Sequence, residues 1–173
     1  VRRLTAIENF GSMDTPCTDK TGTLTEGVIH LDSANDLNGE NSDDVFRAAY
    51  LNSSLQTGLV NSLDEAIIAF KTIDATGAVK RGEIPYDFYR KRMSVVVEES
   101  GAVRLITKVA LKQVLSVCTS ARLDNADHAL DEAALAQIQQ RFSDWSGQGF
   151  RVLGVAEKTV AVKDPKAYAV SDE

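Results

Sequence analysis

The 173-residue sequence is poor in cysteine, histidine, proline and tryptophan, with two, two, three and one of each. Cys17 and Cys118 make no disulfide framework, and with His30 and His128 they are a poor basis for a four-ligand zinc site, so a reducing compartment is expected. No apolar run approaches the roughly 20 residues needed to cross a bilayer. Val1–Phe10 carries Arg2, Arg3 and Glu8 and lacks the apolar region of a signal peptide. Basic residues are outnumbered 19 to 25, and the net charge of −6 argues against nucleic acid as a partner. Internal repeats and low-complexity tracts are also missing. What remains, 43% apolar and 25% charged with 11 glycines, is the make-up of a soluble globular domain, or of one domain with an attached piece of another.

A short β-like run, Val28–Leu31, follows a segment dense in Thr, Asp and Gly. The polar stretch Asp32–Ser42 reads as a linker or surface loop. Beyond it, Phe46, Ala49, Tyr50 and Ser53 recur at helical spacing and predict a helix over Asp43–Gln56. Ser62 to Glu65 matches a capping box, with Ser62 as N-cap of a helix over Leu63–Phe70. Arg92–Glu98 and Val103–Lys108 are β-rich and are joined by a hairpin at Glu99–Ala102. Leu111–Cys118 has helical apolar spacing. Asp131–Gly147 is the clearest helix, with a stripe of Leu135, Ile138, Phe142 and Trp145 stopped by Gly147 and Gly149. Arg151–Glu157 reads as a strand and Thr159–Lys163 as a further one. Strands joined in this order by a hairpin and helices predict an α+β fold, a largely antiparallel sheet flanked by helices.

The most specific feature is Asp19-Lys20-Thr21-Gly22-Thr23-Leu24-Thr25. An aspartate can attack a phosphoryl group and split hydrolysis into two steps. It needs cationic help, for which Lys20 and a magnesium ion at Asp19 and Thr21 are the natural supply. Thr21 and Thr23 offer hydroxyls, and Gly22 allows close backbone approach to a phosphate. An isolated Asp-Lys-Thr reads as a capped polar turn, whereas the whole run in order reads as chemistry.

This run resembles the phosphorylation motif of the P-type cation-pumping ATPases. Ala6–Asp14 before it, and Tyr50-Leu51-Asn52-Ser53 and Gln56-Thr57-Gly58-Leu59 after it, are similar to the bacterial magnesium-importing branch. The resemblance runs from about Thr5 to Ala156. It implies an early piece of the phosphorylation domain over residues 1–31 and an inserted nucleotide-binding domain over residues 32–173. Aspartate-nucleophile phosphatases place a second aspartate two residues after the nucleophile. Thr21 stands there instead, which suits a longer-lived aspartyl phosphate and a transporter.

Ile84–Val95 mixes aromatic rings with a cationic cluster. Tyr86 can stack on adenine, and Arg90, Lys91 and Arg92 can attract phosphate; the alternative is a solvated basic turn. The resemblance implies Tyr86 as adenine platform, where the family usually has Phe, and pocket positions for Lys91 and Met93. Lys108 falls in a Lys-Gly-Ala pattern of the family, but this chain has Lys108-Val109-Ala110. Valine neither permits close approach nor favours positive φ, so weakened or altered adenine affinity is expected. The resemblance further implies Arg151 near the phosphates and Asp64 near the adenine amine.

The implied cofactors are ATP and Mg2+. The implied partners are the remaining phosphorylation, actuator and transmembrane domains of one polypeptide at the cytoplasmic face of the bacterial inner membrane. The fragment is expected to be monomeric and to bind nucleotide without turnover. Two other readings stay open: a stand-alone aspartate-nucleophile phosphatase, and a non-catalytic interaction domain that lost ATP, for which Val109 is the supporting residue.

Overall fold

The computed structural model describes residues 14–15, 27–58, 61–123 and 126–173. Asp19, Lys20 and Thr21 lie outside the described residues. The chain runs α1 (Asp43–Leu55), α2 (Ser62–Phe70), β1 (Ala78–Asp87), β2 (Arg92–Glu99), β3 (Ala102–Ala110), α3 (Leu111–Leu115), β4 (Ser120–Leu123), β5 (Ala126–Ala129), α4 (Glu132–Gly147) and β6 (Leu153–Thr159). β1, β2, β3 and β6 form one sheet in that order, antiparallel at every pairing, and β4 and β5 form a separate hairpin. Among the described residues no helix is long and apolar enough to cross a membrane.

Val95, Val96 and Val97 are fully buried in succession. A strand with one wet face alternates; one covered on both faces reads as an unbroken apolar run. Val95 and Val97 pack with Ile106 against Ala48 and Leu51 of α1. Val96 faces the other way, with Ile84, Val103, Leu105 and Tyr168. The strap after β6 therefore covers the face opposite the helices. After a last bond to the sheet, from Val160 N to Val103 O at 3.0 Å, residues 160–163 carry no regular structure, so the further strand expected at Thr159–Lys163 does not form.

The helix starts follow from their caps. Ser42 accepts from Val45 N, and Asp131 from Ala134 N. α2 begins one residue earlier than its capping-box reading, because Asn61 accepts from both Leu63 N and Asp64 N. The β2–β3 connection is the expected hairpin, with Ser100 and Gly101 both at positive φ. Val28–Leu31 carries no regular structure, and the helix after β3 stops at Leu115, not Cys118. On α4 only Ile138 of the apolar stripe is fully buried. β1 escaped the sequence pattern because Gly82 and Pro85 interrupt it; it is an edge strand, where a missing N–H is tolerated.

Across the sheet, Arg47 of α1 and Arg104 of β3 both hold Glu99. The hydrogen bond from Arg47 is the main reason its carboxyl sits below the usual 4.5; burial opposes this, and the charges of both arginines add to it. A carboxylate depressed in the folded state contributes stability above its unfolded pKa, and that contribution is lost as pH falls through the folded value. Glu99→Gln is expected to lower the urea midpoint at pH 6, and to flatten the loss of stability below pH 4.5 compared with the unsubstituted chain. Parallel acid limbs for the two proteins refute this role.

Candidate functional site

In this antiparallel sheet the end of β1, the start of β2, the end of β3 and the start of β6 share one edge. That edge collects Tyr86, Lys91, Met93, Lys108 and Arg151, which lie far apart in sequence. Lys108 projects towards the helices, on the same face of β3 as Ile106. Its ammonium is paired with Asp64 of α2, the side chains being only 8% and 2% exposed. It also donates to Ser53 Oγ, which itself donates to Ala49 O at 2.9 Å. Gln56 Nε2 donates to the other oxygen of Asp64. Thr57 donates to Glu83 Oε2 through its amide at 3.0 Å and its hydroxyl at 2.8 Å, fastening this loop to β1. Burial pushes the Lys108 ammonium below its usual range, although the hydrogen bond and charge of Asp64 act in the opposite sense.

A cavity of about 430 Å³ opens beside this pair, lined by Lys108, Arg151, Leu63, Ile67, Phe150 and part of the 28–35 segment, among others. Two cations that the sequence separates by two helices and a two-stranded hairpin thus face one space with apolar walls. Such a mixture suits a ligand with a flat apolar part and an anionic part. Asp64 does not line the cavity. It stands behind Lys108, with both carboxylate oxygens engaged, and orients that ammonium.

Tyr86, Lys91 and Met93 line neither this cavity nor a second one, of about 290 Å³, between α1, α4 and β6. Met93 is half-buried, and the register that pairs Ser94 with Thr107, carried one step further, sets it opposite Lys108. Tyr86 is 53% exposed on the rim, with its ring edge-to-face with Phe88 at 5.4 Å. Asp87 shapes the loop: its side chain accepts from the amides of Tyr89 and Arg90, and its carbonyl from Lys91, whose φ is 54°. Of the three basic residues here, Arg90 and Arg92 are both paired with Glu173, and Lys91 makes no ion pair among the described residues.

Val109 has ordinary strand geometry and pairs with Gly154. By strand alternation its side chain leaves the face opposite Lys108, and it lines neither cavity. The glycine expected at that position is therefore not required by the backbone here. Sequence reasoning gave Ser53 and Gln56 no role in the site, only a place in a helix and in the resemblance, and did not single out Glu173. Their bonds to Lys108, Asp64 and Arg90 span 55, 8 and 83 residues of chain. Among the described residues no group of three or more His, Cys, Asp or Glu is placed to hold a metal ion. Cys118 is half-buried, and burial pushes its thiol up, away from the reactive thiolate.

A family model described as P-type ATPase, cytoplasmic domain N, matches residues 24–173. The chain is 42% identical over 172 residues to the magnesium-transporting ATPase, P-type 1, of Salmonella typhimurium strain LT2, an alignment covering 95% of this chain and 19% of that protein. It is 41% identical over 179 residues to the protein of the same name from Escherichia coli K12, covering 100% of this chain and 20% of that protein. To plasma membrane ATPase 1 of Saccharomyces cerevisiae it is 30% identical over 165 residues, or 91% of this chain and 17% of that protein. The chain thus spans about a fifth of the length of the curated bacterial relatives it matches.

Proposed function

The chain belongs to the family of P-type ATPase cytoplasmic N domains, and on that premise we propose that it is the ATP-binding portion of a magnesium-transporting P-type ATPase. The observation that carries this reading is the cavity shared by Lys108 and Arg151 at the sheet edge that also bears Tyr86, Lys91 and Met93. The apolar wall and Tyr86 suit the base, and the two cations suit the phosphates. Asp64 acts through Lys108, and Met93 belongs to the same end of the sheet. Residues 32–173 form the nucleotide-binding part, and residues 1–31 belong to the phosphorylation domain.

In the whole pump, the Asp19 carboxylate would attack the terminal phosphorus of ATP held here, forming the aspartyl phosphate as the bond to ADP breaks and ADP leaves. Asp19 and Thr21 would hold Mg2+, which with Lys20 would supply positive charge against the phosphate. The remaining phosphorylation, actuator and transmembrane domains are the partners, at the cytoplasmic face of the bacterial inner membrane. This chain by itself is expected to bind ATP without turning it over.

Titrating ATP into the 15N-labelled chain tests the reading. Shifts at Tyr86, Lys108 and Arg151 that saturate together support it, and their absence at millimolar ATP refutes it. Steady phosphate release by this chain alone would support a stand-alone phosphatase instead.

A further inference from the structure

We propose that Glu173, clasped by Arg90 and Arg92, is a positioning residue that holds the aromatic loop 86–91 in its nucleotide-ready shape. The inference rests on the reading of this edge as a nucleotide site, and extends it to a residue on the opposite face of the sheet.

The Glu173 side chain is only 2% exposed. One oxygen, Oε2, accepts from Arg90 Nη1 at 2.5 Å and Arg92 Nε at 2.7 Å. The other accepts from Ser94 Oγ at 2.7 Å, and Ser94 in turn meets Thr107 Oγ1 at 2.6 Å. Arg90 Nη2 also donates to Pro85 O at 3.0 Å. One carboxylate therefore ties together both ends of the β1–β2 connection and the middle of the sheet. Charge-assisted hydrogen bonds in such a buried setting are strong and directional.

Apart from this clasp, the loop is held by its own short-range bonds to Asp87 and by the Tyr86–Phe88 contact. Phe88 and Tyr89 are 84% and 98% exposed. Lys91 sits at a positive φ that a lysine rarely adopts. Yet the loop must hold Tyr86 at a fixed angle if that ring is to stack on a base, since a platform that moves costs ordering entropy at binding. The clasp supplies that order before the ligand arrives. It also gives Arg90 and Arg92 a role other than phosphate attraction, because their charge is answered by Glu173.

The test compares the unsubstituted chain, Glu173→Gln, Tyr86→Ala and the double variant. Amide hydrogen exchange at Tyr89, Arg90 and Lys91 is expected to quicken about tenfold in Glu173→Gln, with α4 unchanged. ATP affinity is expected to fall roughly five- to tenfold, while affinity for tripolyphosphate, which has no base to stack, stays within twofold. In the Tyr86→Ala background the same substitution should change ATP affinity less than twofold, because the residue acts through that ring. Unchanged loop exchange, or an equal loss of ATP affinity with and without Tyr86, overturns the proposal. If Glu173→Gln does not fold, Arg92→Lys, which keeps the charge but loses the fork, carries the same expectations. Failure of the unsubstituted chain to bind ATP removes the nucleotide reading, and loop exchange then decides whether Glu173 holds the loop.

Discussion

Asp64→Ala is expected to cost about 3–5 kcal/mol of folding stability, the usual loss when one partner of a buried pair is removed. For a chain of this length that is on the order of 10 °C in Tm. The reason is that Lys108 would keep its burial and lose its counter-charge. Its side chain is 8% exposed, and Ser53 would be its remaining hydrogen-bond partner among the described residues. Burial already holds the Lys108 pKa below 10.5, even with Asp64 present. A lysine depressed in the folded state binds fewer protons than in the unfolded chain between its folded pKa and 10.5. Stability from this group therefore rises with pH across that window.

Without Asp64 the window widens downwards, so the deficit of Asp64→Ala should shrink between pH 7 and pH 10. Urea midpoints at the two pH values measure it. A double variant, Asp64→Leu with Lys108→Met, should recover most of the stability, because replacing both charges leaves neither one stranded. The same double variant should lose the ATP-dependent shifts at Arg151, which separates folding from function. A loss of under about 1 kcal/mol for Asp64→Ala would mean that the pair behaves as an exposed one.

Gly82→Ala is the second large effect. A Cβ at Gly82 would lie 2.6 Å from Tyr168 Cδ2 and 2.9 Å from Pro165 O. The ring can turn only by giving up its buried place against Ile84 and Leu105, and the carbonyl can move only with the strap itself. Overpacking of this kind costs about 1–3 kcal/mol, and more if Tyr168 leaves the core. Thermal melts should show the loss, and amide exchange should locate it in residues 160–173. Gly77→Ala is the control. Nothing lies within 4 Å of a Cβ there, so that change should be neutral or slightly stabilising by restricting the unfolded chain. Equal melts for the two alanine variants would show that the strap does not pack on β1.

Much of this architecture was legible locally. The helices after Ser42 and Asp131 were legible from apolar residues recurring at helical spacing; that these two residues cap them was seen only in the structure. Ser100-Gly101 marks the hairpin because the turn itself demands positive φ. The misreadings have equally local causes. Asn61 outcompeted Ser62 as cap because its oxygen reaches two amides. β1 was missed because Gly82 and Pro85 look like breakers until the strand is known to lie at an edge. The site was legible only in part. Lys108 and Arg151 were named from motif resemblance and do meet at one cavity. Arg90 and Arg92 also looked like phosphate ligands, and nothing near them in the chain hinted that Glu173 would pair with them.

By itself the amino-acid sequence determined the helices, the central strands and the antiparallel α+β layout, since caps, turns and apolar periods act over a few residues. It also carried the motifs by which the chain is placed among P-type ATPases. Only the tertiary structure decided which face each charge meets. Lys108 meets Asp64 across 44 residues, and Arg90 meets Glu173 across 83. Contacts at that range are set by strand register and by which surface the strap covers. They depend on the packing of the whole sheet, and no short stretch of residues encodes them.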